Sequence, residues 1–318
     1  MEKKYFLGID LGGTKIKGVI CGYDGKILSE YTLPTNVNEG EKAVAGRIML
    51  AIDKVIEKWE GSIDEIKAIG VGSPGPLNAE KGIITNPVNI PLKNFNVVKA
   101  ISEKYSIPAY LDNDANVAAI GEYMFGAGKG TQNMVYVTVS TGIGGGAIIN
   151  GRIYRGHTNN SLEVGHTTID PDGPKCNCGN YGCLEAMASG TAISRRAKEA
   201  IENGCNTSLS NYKNPTAKEV FDEAYKGDEV SVKILDKCLN YLGIGIANII
   251  SNFDPELIII GGGVSKGGQI VFDKVKEVVN KRCMSVYKES CRIVPAALST
   301  DAGAVGAAAL AIMETEVH

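Results

Sequence analysis

The 318-residue sequence predicts an α/β protein of two lobes that are built from a repeated unit. Apolar runs typical of strands alternate with segments of helical spacing. One order of elements, a strand followed by a glycine-rich turn and a hairpin, occurs twice along the chain. The length also exceeds what a single hydrophobic core of roughly 250 to 300 residues contains.

The first copy of the unit lies at the N-terminus. Residues 5–9 form an apolar run typical of a strand, and residues 11–15 form a glycine-rich turn. A second strand is predicted at residues 17–21. The pair Asp24-Gly25 then predicts a hairpin turn into a third strand at residues 26–32.

The same order returns in the middle of the chain. Residues 135–139 predict a strand and residues 140–146 a glycine-rich turn. Residues 147–149 lead into Asn150-Gly151, which is a strong hairpin signal. This repetition indicates an internal duplication, with chance similarity of two short segments as the alternative.

The remaining elements alternate between the two types. Helical spacing predicts helices at residues 39–59, 114–125 and 216–225, and a small-residue helix at residues 302–313 is suited to close packing on a sheet. Further strands are predicted at residues 68–72, 110–112 and 256–260. We expect an N-terminal lobe of residues 1–118, completed by a C-terminal helix at 302–316, and a C-terminal lobe of residues 119–301 that contains a loop at 166–185.

Composition excludes several classes of protein. With 36 acidic and 33 basic side chains the formal net charge is −3, and no basic stripe for nucleic acid is evident. No apolar run reaches the roughly 18 residues of a membrane span. Asp10, Lys15 and Lys17 interrupt the N-terminal apolar stretch before any signal-peptide cleavage site. We therefore expect a cytoplasmic protein without nucleic-acid or membrane partners, whose eight cysteines are reduced or bind a metal.

Three glycine-rich segments follow predicted strands and offer backbone amides, hydroxyls and one lysine to a nucleotide. Their residues are Asp10, Gly12, Gly13, Thr14 and Lys15 in the first, Thr141, Gly142 and Gly144 in the second, and Gly261, Gly262 and Gly263 in the third. The first two suit a polyphosphate, and the third suits a base or ribose. Taken singly, each is also compatible with an ordinary turn. Together they predict ATP as a ligand.

Two aspartates at strand ends are candidates for chemistry. Asp10 suits a Mg²⁺ ligand near the nucleotide phosphates, with a hydrogen bond that caps its own turn as the alternative. Asp114 lies where a strand passes into a helix, and a carboxylate at a helix N-terminus can accept a proton from a hydroxyl. For Asp114 the alternative is a helix cap.

His166, Cys176, Cys178 and Cys183 have the spacing of a metal site. Three thiolates and one imidazole complete the tetrahedral coordination of Zn²⁺, so the ion is expected to be structural. Free thiols or a redox pair are the alternative. Glu163 and Glu185 flank this loop, and paired carboxylates suit the hydroxyls of a polyol, with solvated surface charges as the alternative.

These motifs resemble the ROK family of bacterial sugar kinases and sugar-responsive repressors. The resemblance covers nearly the whole chain and is carried by DLGGTK (10–15), SPGP (73–76), DNDAN (112–116), STGIGGG (140–146), EVGH (163–166) and CNCGNYGCLE (176–185). It implies a two-lobed, actin-like or ribonuclease H-like ATPase fold with duplicated βββαβ-type domains and a cleft between the lobes.

The resemblance also implies an activity and its residues. The activity is ATP-dependent phosphorylation of a hexose at the 6-hydroxyl, with Asp114 as the catalytic base. The hexose would be held by Gly75, Asn89, Asn113, Asp114, Glu163, His166 and Glu185. The family is commonly dimeric or tetrameric, so a homodimer or homotetramer is expected.

The family leaves alternatives open. Glucose is the first choice of hexose because the segments around Asp114 are most similar to glucokinases. Allose, fructose, mannose, N-acetylmannosamine and N-acetylglucosamine are the alternatives, since residues 156–162 and Leu92 depart from the pattern on the sugar side. A DNA-binding repressor or a sugar sensor without turnover is less favoured, because only residues 1–4 precede the first strand and both phosphate loops and Asp114 are present.

Overall fold

The computed structural model describes residues 4–287 and 290–316, and these divide into two compact units. The first unit contains the described residues of Met1–Thr131 and Ala297–His318 together with Gly146–Ser161. The second contains Gln132–Gly145 and the described residues of Leu162–Ala296. The segments 119–131, 146–161 and 297–301 thus belong to the first unit, whereas the sequence-based boundary assigns them to the C-terminal lobe.

A five-stranded sheet organises the first unit. Its strands are β1 (Tyr5–Leu11), β2 (Lys15–Cys21), β3 (Ile27–Pro34), β4 (Ile66–Ser73) and β8 (Ala109–Asn113), in the order β3-β2-β1-β4-β8. The first three strands pair antiparallel, and β4 and β8 continue the sheet in parallel. A small three-stranded sheet is formed by β5 (Leu77–Asn78), β6 (Ile83–Ile84) and β7 (Phe95–Asn96).

A second five-stranded sheet has the same arrangement. Its strands are β9 (Met134–Val139), β10 (Ile143–Ile149), β11 (Arg152–Ile153), β12 (Leu257–Gly261) and β13 (Arg292–Pro295), in the order β11-β10-β9-β12-β13. β10 pairs antiparallel with β11, whereas β12 pairs in parallel with β9 and β13. The matching strand orders confirm the duplication predicted from the sequence.

Helices flank both sheets. In the first unit they are α1 (Glu41–Glu57), α2 (Val97–Tyr105), α3 (Asp114–Phe125) and α9 (Ala302–Glu316). In the second unit they are α4 (Leu184–Ala188), α5 (Gly190–Glu202), α6 (Ala217–Tyr225), α7 (Glu229–Phe253) and α8 (Gln269–Arg282). Among the helices of the described residues, none is long and apolar enough to span a lipid bilayer.

The alternation of side chains along β1 explains how the first sheet is covered on its two faces. Leu7 and Ile9 enter a core with residues of α1 and α2. On the other face Phe6 packs with alanines of α9, and a Cβ on Gly8 would lie 2.1 Å from the Ala304 carbonyl oxygen. The small residues of α9 and the glycines of the sheet therefore permit close contact between helix and backbone.

Three turns are shorter than the sequence predicted. The glycine-rich segment 140–146 is a turn only as far as Gly142, because β10 begins at Ile143 and contains the glycines that follow. A Cβ on Gly146 would lie 2.8 Å from the Ala115 carbonyl oxygen of α3, so these glycines allow close packing of a strand rather than a wide loop. Likewise Lys15 and Gly261 lie within strands β2 and β12.

Candidate functional site

The first glycine-rich loop joins β1 to β2. The Gly12 N–H donates to the Lys15 carbonyl oxygen at 3.0 Å, which closes a tight turn with Thr14 and Lys15 exposed. A Cβ on Gly13 would lie 3.3 Å from the Asn89 carbonyl oxygen. The structure therefore brings the predicted phosphate loop and Asn89 into direct contact.

Asp10 lies near the end of β1 on the face covered by α9. Burial raises the pKa of this carboxyl above its ordinary value, and the charges of Lys15 and Lys17 partly oppose the rise. A Cβ on Gly303, at the start of α9, would lie 2.6 Å from Asp10 Oδ2. One carboxylate is the share that proteins commonly give to a Mg²⁺ ion held mainly by water and phosphates, so Asp10 fits that ion.

The junction of β8 and α3 presents Asn113 and Asp114. The Asn113 side chain caps α3 by accepting a hydrogen bond from the Ala115 N–H at 2.9 Å. The exposed Asp114 carboxylate accepts from the same N–H at 2.8 Å, which fixes its direction at the first turn. A Cβ on Gly75 would lie 3.5 Å from Asn113 Nδ2. Gly75, Asn113 and Asp114 are thus neighbours, as a polyol site requires.

In the second unit the turn between β9 and β10 is joined to Glu185. The Ile143 N–H donates to Glu185 Oε2 at 2.9 Å, and a Cβ on Gly142 would lie 2.3 Å from the same oxygen. Glycine at position 142 therefore leaves the space that this carboxylate occupies. The glycine-rich turn with Thr141 and Gly142 at its tip positions a candidate hexose ligand as well as backbone amides.

His166, Cys176, Cys178 and Cys183 come together as the spacing predicted, with their ligand atoms all within 4.8 Å of one another. Cys178 Sγ and Cys183 Sγ are 3.6 Å apart, and Cys176 Sγ is 3.6 Å from His166 Nδ1. A tetrahedron with metal–sulfur bonds of about 2.3 Å has edges of about 3.8 Å, so the donor set fits Zn²⁺ in type and in spacing.

Of the three predicted hexose ligands of the second unit, His166 belongs to this cluster, and Glu163 and Glu185 lie beside it. His166 Nε2 lies 4.0 Å from Glu163 Oε2, on the side of the ring opposite the cysteine contact of Nδ1. Glu185 Oε1 lies 4.0 Å from Cys176 Sγ. A metal bound by the four side chains would fix the imidazole and, with it, the surroundings of both carboxylates.

A cavity of about 630 Å³ lies in the second unit beside Gly263. Its walls include Ser140 and Thr141 of the β9–β10 turn and the aromatic rings of Phe221 and Tyr225 on α6. This volume and mixed lining suit a nucleoside. Gly262 has a φ of 86°, and a Cβ there would lie 2.4 Å from the Val139 carbonyl oxygen, so only glycine keeps this turn against the sheet.

Sequence reasoning did not identify Phe221, Tyr225 or the basic residues Lys218 and Lys266 of the cavity. The capping box of Thr216 and Glu219 correctly placed the start of α6, but nothing local to that helix indicates what its side chains face. Gly144 and Gly261 lie within strands, where a Cβ on Gly261 would be 2.4 Å from the Tyr136 hydroxyl. Packing against the sheet is therefore the role that the structure gives to Gly261.

Comparison with known proteins extends these observations. A family model described as ROK family matches residues 6–314. A glucokinase of Halalkalibacterium halodurans is 36% identical over 311 residues, which cover 96% of this chain and 94% of that protein. A xylose repressor of Bacillus subtilis is 33% identical over 312 residues, which cover 97% of this chain but 77% of the repressor.

Solved structures agree with this. A ROK hexokinase from Thermus thermophilus superposes with a TM-score of 0.85 at 34% identity. The match covers 99% of this chain and 100% of the hexokinase. A ROK family glucokinase from Streptomyces griseus, solved in complex with glucose and AMPPNP, has a TM-score of 0.82 at 31% identity, with coverage of 97% and 99%.

Proposed function

The chain belongs to the ROK family, and we propose on this premise that it is an ATP-dependent kinase that phosphorylates glucose at the 6-hydroxyl. The single observation that carries the mechanism is the Asp114 carboxylate, which is exposed at the first turn of α3 and held by the Ala115 N–H at 2.8 Å. Relatives named glucokinase and a solved complex with glucose support the choice of substrate.

Asp114 orients the 6-hydroxyl for in-line attack on the terminal phosphorus of ATP. The bond from the hydroxyl oxygen to phosphorus forms, the bond from phosphorus to the β-phosphate oxygen breaks, and the hydroxyl proton passes to the carboxylate. Because the transition state of phosphoryl transfer is loose, orientation contributes more than proton abstraction. The other hydroxyls of the hexose are held by Gly75, Asn89, Asn113, Glu163, His166 and Glu185.

The nucleotide is held by backbone amides and by the cavity. The phosphates lie at the turn of Gly12, Gly13 and Thr14, beside Lys15, and at the turn of Thr141 and Gly142, beside Gly144 in β10. The adenosine occupies the cavity beside Gly263, which follows Gly261 and Gly262 at the end of β12. Asp10 would hold a Mg²⁺ ion at these phosphates. When bound, this ion neutralises charge on the phosphates.

The four-residue cluster would hold a structural zinc ion. Four protein side chains would complete its coordination and leave no position for a catalytic water, and the ion would cross-link the loop that begins at His166 and is flanked by Glu163 and Glu185. We also propose that the protein is cytoplasmic, forms a homodimer or homotetramer, and has no nucleic-acid or membrane partners. Size-exclusion chromatography with light scattering would measure the number of subunits.

The test is ADP formation from MgATP with a panel of glucose, mannose, fructose, allose, N-acetylglucosamine and N-acetylmannosamine. We expect the highest kcat/KM with glucose. A clear preference for another hexose would change the proposed substrate but keep the proposed kinase activity. Binding of a hexose without ADP formation for any sugar of the panel would favour a sugar sensor.

A further inference from the structure

Asp112 carries a buried carboxylate at the end of β8. Its Oδ1 accepts hydrogen bonds from the Asn113 N–H at 2.7 Å and from Asn116 Nδ2 at 2.8 Å. Its Oδ2 accepts one from Arg155 Nε at 2.7 Å. The Asp112 side chain is only 1% exposed, and a charge so far removed from water is stable only when it is paired and hydrogen-bonded. Arg155 supplies the opposite charge.

The Arg155 guanidinium also binds a second carboxylate. Its Nη2 donates to Glu314 Oε1 on α9 at 2.6 Å, so one guanidinium connects the end of β8 to the C-terminal helix. The Arg155 carbonyl oxygen accepts from the Ser161 N–H at 3.2 Å, which closes the loop that follows β11. A planar guanidinium can donate in two fixed directions at once, whereas a lysine ammonium is a single point charge.

The contacts from Arg155 through Asp112 and Asn113 end next to Asp114, the proposed catalytic residue. Asp112 fixes the N–H of Asn113, and Asn113 caps the helix whose first residue is Asp114. A misplacement of about 1 Å at a reacting group can lower a rate by about a hundredfold. We propose that Arg155 is a positioning residue, which holds Asp112 and thereby sets the direction of the Asp114 carboxylate toward the hexose hydroxyl. This inference rests on the proposed kinase activity.

The first test compares two nearby arginines, Arg152 in β11 and Arg155 in the loop that follows it. Arg155→Met keeps an aliphatic side chain and removes the hydrogen bonds to Asp112 and Glu314. Arg152→Met is the matched control because Arg152 is exposed in β11. For Arg155→Met we expect kcat to fall at least about tenfold, with KM for MgATP within about twofold of the wild type, because the proposed nucleotide ligands lie elsewhere. A merely structural role would lower the melting temperature and leave kcat of the folded protein unchanged.

A second variant separates position from charge. In Asp112→Asn/Arg155→Met the amide oxygen still accepts from Asn113 and Asn116, and no buried charge lacks a partner. We expect kcat to recover to within about threefold of the wild type. If Arg155→Met fails to fold, Arg155→Lys takes its place, with kcat expected to be about threefold to tenfold below that of the wild type.

The outcomes distinguish the two proposals. The inference is overturned if kcat of the Arg155 variant lies within twofold of Arg152→Met, or if the double variant is as slow as Arg155→Met. A wild-type protein without hexose-dependent ADP formation would instead contradict the proposed function itself, since the variants would then have no rate to change.

Discussion

The end of β8 and the loop between β11 and α4 both present carboxylates to solvent, but they are held in place by different forces. Asn113 is the last residue of a strand paired in the sheet and caps the helix that begins at Asp114, and Arg155 neutralises the neighbouring buried Asp112. Residues 154–183, all of which the structure describes, contain one short 3₁₀ turn at Val164–His166 and two isolated bridges. Strand pairing and a helix cap thus position the first region. The second is held by irregular backbone hydrogen bonds, such as the one from the Ile169 N–H to the Gly182 carbonyl oxygen at 2.8 Å, and a bound metal would add a cross-link to them.

The difference teaches how irregular backbone can carry precise side chains. Ordering the backbone of such a loop costs about 1 to 2 kcal/mol per residue in conformational entropy, and its scattered hydrogen bonds offset part of that cost. Four ligands on one ion remove much of that freedom at once. The strand-to-helix junction needs no ion because its backbone bonds are satisfied within the sheet and the helix cap.

The largest expected effect lies in the first region. Asp114→Asn keeps the shape of the side chain and its acceptor for the Ala115 N–H, but it removes the negative charge. We expect kcat to fall at least about a hundredfold with the melting temperature and metal content unchanged. Asp64→Asn, at an exposed position, is the matched control. Near wild-type turnover by Asp114→Asn would remove Asp114 from the mechanism.

The next largest effect is expected from a variant that disrupts the candidate metal site of the second region alone. Cys178 is exposed, so Cys178→Ser loses little packing and reports mainly the metal. We expect loss of zinc and a melting temperature lower by several degrees, at about 2 to 4 °C per kcal/mol for a domain of this size. Cys205→Ser, also exposed, should keep both. Full thermal stability in a zinc-free Cys178→Ser protein would refute a structural ion.

A third variant separates the position of a carboxylate from the stability of its loop. The Cβ of Gly142→Ala would lie 2.3 Å from Glu185 Oε2, and that oxygen is the flexible end of its side chain. The carboxylate can therefore move aside at little cost in folding free energy. We expect KM for glucose to rise about tenfold with little change in melting temperature. Gly46→Ala, where a Cβ meets nothing within 4 Å, is the control, and an unchanged KM in Gly142→Ala would argue against Glu185 as a hexose ligand.

The smallest effect tests whether the second unit responds as a whole. Thr216→Ala removes the capping box of α6, which costs about 1 kcal/mol, and α6 lines the cavity proposed for adenosine. We expect KM for ATP to rise about twofold while KM for glucose and zinc content stay constant. Steady-state kinetics with ATP and glucose varied in turn would measure both KM values. An equal rise in KM for glucose would mean that the loop between β11 and α4 depends on α6 for its position.

Local patterns predicted most elements of this fold. The helix predicted at residues 114–125 is α3, Asp114–Phe125, and the capping box of Thr216 is present as predicted. The cluster of four candidate metal ligands was equally accessible from the sequence, because these residues lie within eighteen positions of the chain and their types are those of a zinc site. Such features depend on short-range spacing, which a single sequence retains.

Long-range partners were not predicted. Arg155 pairs with Asp112 and Glu314, which are 43 and 159 residues away along the chain. No local periodicity marks the choice of an ion-pair partner at such a distance. The start of β10 was also misplaced, because glycines that suggested a turn instead allow the strand to pack against α3. Tertiary contact decided both cases.

The most direct test of the central claim compares glucose with 6-deoxyglucose. Both sugars offer the same hydroxyls to the proposed ligands, but only glucose has the hydroxyl that Asp114 is proposed to orient. We expect stoichiometric ADP and hexose 6-phosphate with glucose, and competitive inhibition without ADP formation with 6-deoxyglucose. ADP formation at equal rates with both sugars would contradict transfer to the 6-hydroxyl and the role assigned to Asp114.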